Sequence, residues 1–111
     1  MAGLSDHVTR ELELAKSATD PGGAFRHLER AHILGQYCTS DHVRTHVAML
    51  RWGLAQRDVK EVVGQVIRII AAATKTAFGW IPVGNTGGAN VSPIKPMPLP
   101  DDLAEIIARN R

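Results

Sequence analysis

A chain of 111 residues, 44% hydrophobic and 22% charged, has the length and balance of one small globular domain, which excludes a large multidomain enzyme and a disordered chain. The formal charge of +2 is too weak a bias to argue for nucleic acid. A single cysteine, Cys38, excludes an internal disulfide framework and fits a reducing cytoplasm.

The first helix is expected from Ser5 to Ala18, capped by Ser5 or Asp6, with Leu4, Val8, Leu12 and Ala15 along one stripe. The second opens at Asp20-Pro21, a cap followed by proline at the first helical position, and stops at Gly35. A third opens at Ser40 or Asp41 with Val43, Val47, Leu50 and Leu54 as its apolar stripe. The fourth starts near Asp58 and carries Val62, Val63, Val66, Ile67, Ile69 and Ile70. Apolar on two sides, it is expected to be the central helix.

The composition changes after residue 77. Five of the six prolines fall between Gly79 and Pro100, so that stretch is not helical throughout. It also carries Trp80, Ile81, Val83, Val91, Ile94, Met97 and Leu99, too many apolar residues for a solvated linker. An extended arm docked on the helices is expected over 78–100. A short helix over 101–111 follows, with Leu103, Ile106 and Ile107 facing inward. No apolar run reaches the roughly 18 residues of a membrane span, and Met1–Arg10 lacks the apolar core of a secretory signal, so a cytoplasmic location is expected.

Asp6 and Asp41 each open a helix, and each helix is followed by a turn at an aspartate and a second helix. That spacing is close to the ~34-residue period of tetratricopeptide helix pairs. The architecture expected is therefore all-α: a single domain over 1–111, with 1–77 forming a small bundle of two stacked helix hairpins, tetratricopeptide-like. A plain four-helix bundle is the competing architecture.

Histidine carries the main chemical signal. His42 and His46 are four residues apart and share one helix face at chelating distance. A short turn sets His32 opposite His42, with His27 further down the same helix. These four are the candidate metal ligands, for Zn²⁺ or another divalent transition metal. His27 and His32 are about 140° apart on a helical wheel and cannot chelate as a pair, so one of them joins His42 and His46 or stands behind the site. Glu29 precedes His32 in a Glu-x-x-His pair, but a di-iron centre needs two such pairs. Cys38, in the intervening turn, is a further possible ligand. His7 is expected at the surface.

Gly84-Asn-Thr-Gly-Gly88 lacks the strand and helix that flank a phosphate-binding loop. It reads as a turn with positive φ at Gly87 or Gly88, tied down by Asn85 and Thr86. Arg26, Arg30, Arg44, Arg51 and Arg57 alternate with Glu29 and Asp41 without aromatic residues between them, a solvated face rather than a nucleic-acid surface.

The run His27-Leu-Glu-Arg-Ala-His-Ile-Leu-Gly-Gln36, the His42-x3-His46 pair followed by Met49-Leu-Arg-Trp-Gly53, and Val83-Gly-Asn-Thr-Gly-Gly88 leading to Pro96-Met-Pro98 together resemble a family of small bacterial proteins, domain-of-unknown-function family 3703. The likeness runs from about Arg10 to Ala108 and implies no activity or catalytic residue. The leading functional expectation is thus a small cytoplasmic metal-binding protein using His27, His32, His42 and His46. An interaction module with structural histidines and a protein partner is the alternative. A metal-dependent hydrolase with Glu29 as base stands third. Trp52, off its helix's apolar stripe, points to contact with the arm or with a second subunit in a homodimer.

Overall fold

A computed structural model of the chain describes residues 3–75, 83–91 and 95–110. Among these residues every regular element is an α-helix: α1 (Leu4–Ser17), α2 (Pro21–Gly35), α3 (Thr39–Gln56), α4 (Val59–Lys75) and α5 (Asp101–Asn110). The all-α expectation holds, and the helix limits fall within a residue or two of those expected.

The caps explain the limits. Gly23 N–H donates to the Asp20 carboxylate at 2.8 Å, closing the first turn of α2 behind Pro21. Asp58 accepts from Glu61 N–H at 3.0 Å and starts α4 in the same way. Arg57 takes the left-handed conformation (φ 56°) that ends α3. Three residues separate α1 from α2, three separate α2 from α3, and two separate α3 from α4, so successive helices fold back on one another. α1 packs on α2, α2 on α3, and α3 on α4, while α5 rests against α2 and α1.

The apolar core sits at the α1–α2–α5 side. Val8, Ala31, Ile33, Leu34 and Leu103 are its buried members, with Leu4, Leu12, Leu99, Ile106 and Ile107 packed around them. Each fully buried Val, Leu or Ile contributes about 1.5–3 kcal/mol. A polar chain closes its edge. Glu11, buried on α1, meets His27 Nδ1 at 2.8 Å and Arg30 Nε at 3.1 Å, and Arg30 continues to Asp102 at the start of α5.

Two sequence expectations fail on the other side. α4 is not central: among the helices its one close neighbour is α3, and Val59, Val63, Val66, Ile67 and Ile70 are exposed. α3 does not bury its valine and leucine stripe, since Leu54 is 60% exposed. It turns inward the face bearing Asp41, His42, Thr45, His46, Met49 and Gly53. The physical reason is that these polar groups find partners inside, so burying them leaves few hydrogen bonds unmade. Trp52 packs on α2: its ring lies 4.5 Å from that of Phe25, and Nε1–H donates to the Pro21 carbonyl at 2.9 Å.

Of the expected arm, Trp80, Ile81 and Ile94 lie outside the described residues. Residues 83–91 run past α2 and α4, with Gly87 N–H turned onto Asn85 Oδ1 at 2.9 Å and Asn85 Nδ2 donating to the Lys95 carbonyl at 2.7 Å. Positive φ occurs at Gly84 (78°) and Gly87 (85°), the second of them as expected.

Candidate metal centre

His32 comes from the last turn of α2, and His42 and His46 from successive turns of α3. The three-residue hairpin turn brings them together. His32 Nε2 lies 3.0 Å from His42 Nε2 and 3.1 Å from His46 Nε2. The three form the only group of metal-capable side chains found among the described residues, with ligand atoms all within 4.8 Å of one another. All three rings are buried, at 3%, 7% and 2% exposure.

The outer nitrogens fix what the inner ones carry. His32 Nδ1 lies 2.8 Å from the Asn85 carbonyl. A carbonyl oxygen only accepts, so Nδ1 holds the proton and Nε2 presents a lone pair in the neutral ring. His46 Nδ1 lies 2.6 Å from Gln65 Oε1. The Gln65 amide is oriented by its Nε2, which donates to Glu61 Oε2 and, at 2.9 Å, to the Gly87 carbonyl. Its oxygen therefore faces His46, whose Nδ1 must donate, and His46 Nε2 is likewise a lone pair. The Nε2 atoms of His32 and His46 lie 3.1 Å apart, and His42 Nε2, 3.0 Å from His32 Nε2, is the neighbouring group able to donate to the His32 lone pair in the metal-free protein.

Burial disfavours an added proton on His32. Desolvation holds the His32 pKa well below the usual histidine value, and the neighbouring His46 and His42 depress it further. Glu61 stands behind the assembly, buried, accepting also from Ala89 N–H at 3.2 Å. The backbone of Gly87 packs directly on the His32 ring. A Cβ there would come within 2.4 Å of Cδ2, and its φ of +85° disfavours any L side chain.

Histidines whose far nitrogens are anchored by oxygen acceptors, with near nitrogens converging, form the arrangement that orients imidazoles around a metal. Three of the four expected ligands meet. His27 does not join them: it projects from the other side of α2 and pairs with Glu11, the consequence of the 140° that separates it from His32 on the helix. His7 lies on α1 and is only partly buried. Glu29 is outside the cluster, its carboxyl raised in pKa by burial, an effect opposed by Arg26 and added to by Glu61. Cys38 is exposed, its thiol lowered in pKa by its contact with Ser40 Oγ at 3.3 Å.

Sequence reading missed Gln65, Glu61 and the Asn85 carbonyl. Gln65 and Glu61 carried a faint signal, as isolated polar residues four apart on the inward side of an otherwise apolar helix. The Asn85 carbonyl carried none, because a backbone acceptor leaves no trace in residue type.

No curated protein and no solved structure matches the chain. A family model matches residues 2–107, and the chain, with its three-histidine cluster, belongs to that family, described as "Protein of unknown function (DUF3703)".

Proposed function

We propose that the protein binds a divalent transition metal ion, zinc or a neighbour such as nickel, cobalt or copper(II), through Nε2 of His32, His42 and His46. The observation that carries this reading is the convergence of three buried imidazoles, with His32 Nε2 3.0 Å from His42 Nε2 and 3.1 Å from His46 Nε2. Two imidazole nitrogens bound to zinc at about 2.0–2.1 Å in a tetrahedral site are about 3.3–3.4 Å apart, so the His32–His42 and His32–His46 pairs need only a few tenths of an ångström of adjustment. Three neutral imidazoles leave the ion's charge intact and one coordination position open for water or a further ligand. The buried carboxylate of Glu61, one amide removed from His46, offsets part of that charge.

We assign the protein to metal binding in the cytoplasm rather than to catalysis. For the remainder of the chain we take α1–α4 as two stacked hairpins of tetratricopeptide type within one domain. The hydrogen bonds of residues 83–91 to α2 and α4 support an arm docked over 78–100.

The test uses untagged full-length protein stripped with a chelator. Calorimetry with zinc is expected to give one site, and zinc is expected to raise the melting temperature with the logarithm of free metal. His46→Ala abolishes both effects, while His27→Ala and His7→Ala keep them. No binding of zinc, nickel, cobalt or copper(II) tighter than about 10 μM would overturn the reading.

A further inference from the structure

A second site lies on the opposite side of α2 and α3 from the histidines' neighbour α4. α1, α2 and α3 enclose a half-open cavity of about 850 Å³, within the ~300–1,000 Å³ range of small-molecule sites. Leu12, Leu28, Val43 and Val47 make its apolar lining, deepened by small residues such as Ala48, with Trp52 beside them. These are the valines that the sequence assigned to the core and the fold left facing the cavity.

Its charge is one-sided. Lys16, Arg44 and Arg51 line it, and no carboxylate does. Arg44 is balanced by Asp41 at 2.9 Å. Lys16 and Arg51 belong to none of the ion pairs among the described residues. They also fall together. Ser5 meets Asp41 near the starts of α1 and α3, and Trp52 meets Pro21 just beyond the end of α1, so the two helices run in the same direction. Lys16 and Arg51 therefore reach the same end of the cavity. From Arg51 back to Val43 the helical rise gives about 12 Å of apolar wall, the length of a medium acyl chain.

We propose that this cavity binds a medium-chain fatty carboxylate, its head group between Lys16 and Arg51 and its chain along Leu12, Leu28, Val43 and Val47. Net positive charge at one end of an apolar trough selects an anion with a tail over a neutral or cationic amphiphile. An acidic peptide and a second copy of the chain are the other occupants to be tested against it.

The probe is decanoate, titrated below its micelle concentration into full-length, chelator-treated protein, followed by calorimetry and by Trp52 emission. One-to-one binding is expected. Decyltrimethylammonium, with the same tail and opposite charge, is expected to bind at least tenfold more weakly. Lys16→Glu/Arg51→Glu, both exposed positions, is expected to weaken decanoate at least tenfold with the melting temperature retained. Ala48→Phe, which fills the trough without touching charge, has the same effect on binding. Equal affinity for the cationic amphiphile, or unchanged decanoate binding in both variants, would overturn the proposal. So would binding of a 15-residue Leu/Glu helical peptide where decanoate fails, or a dimer that Lys16→Glu/Arg51→Glu dissolves.

Discussion

Gln65 is fully buried, and its side-chain amide serves His46 Nδ1, Glu61 Oε2 and the Gly87 carbonyl at once. Gln65→Met keeps the volume and removes every one of these bonds. A buried group left without its partner costs about 1–3 kcal/mol, and more for a charged one. Glu61 keeps its bond from Ala89 N–H, so the His46 Nδ1 and Gly87 carbonyl bonds carry a loss of about 2–4 kcal/mol, a substantial share of the 5–15 kcal/mol that holds a domain of this kind together. At about 4 °C per kcal/mol for a chain of this length, the metal-free variant is expected to melt about 8–16 °C lower. The same change frees the His46 ring, so zinc affinity should fall about 10- to 100-fold. Differential scanning calorimetry without metal measures the first effect, and zinc titration at a temperature where the variant is folded measures the second. A variant melting within about 2 °C of the parent would refute the claim that this amide satisfies the buried centre.

The depressed pKa of His32 makes the metal-free protein acid-sensitive. Below about pH 6.5 the unfolded chain takes up a proton there that the folded chain refuses, so stability falls as pH falls, by about 1.4 kcal/mol per unit until the depressed pKa is reached. Urea unfolding at pH 7.5 and 5.5 checks this, and a slope unaffected by His32→Asn would contradict it. Gly87→Ala drives a Cβ into the His32 ring at a positive φ and is expected to cost at least about 1–2 kcal/mol and to weaken zinc binding. At the far edge, Asp102→Asn removes an exposed ion pair with Arg30 and should change stability by less than about 1 kcal/mol. Arg30→Met takes a partner from buried Glu11 and should cost about 1.5–3 kcal/mol, both read by denaturant titration.

The helices were legible because their signals are local: Asp20-Pro21 opens α2, Asp58 opens α4, and Asp101 begins α5 after a proline run. The His42/His46 pair was legible for the same reason, since four residues on a helix fix the relation of two side chains whatever surrounds them. Which face of α3 turns inward was not legible. Hydrophobicity favours the side with Val43 and Val47, and the opposite side wins because His42, Thr45 and His46 find bonding partners on α2, α3 and α4. Leu54 and the valines of α4 were misplaced with it, as apolar patterning says which side prefers burial and not whether enough protein exists to cover it. The exclusion of His27 was half legible in its angle to His32. Its attachment to Glu11, sixteen residues away on another helix, was not.

The way the histidines are tied in has a kinetic consequence. Residues 83–91 are fastened to the molecule near the cluster by polar bonds, Asn85 to His32 across 53 residues and Gly87 to Gln65 across 22, while the apolar core joins α1, α2 and α5. A region held in this way opens by local fluctuation at lower cost than global unfolding. An ion enclosed by the three rings would therefore leave when that flap lifts, without melting of the core. Its residence time would follow the opening rate, and hydrogen exchange at the amides of Gly87 and Ala89, bonded to Asn85 and Glu61, would slow in step with it.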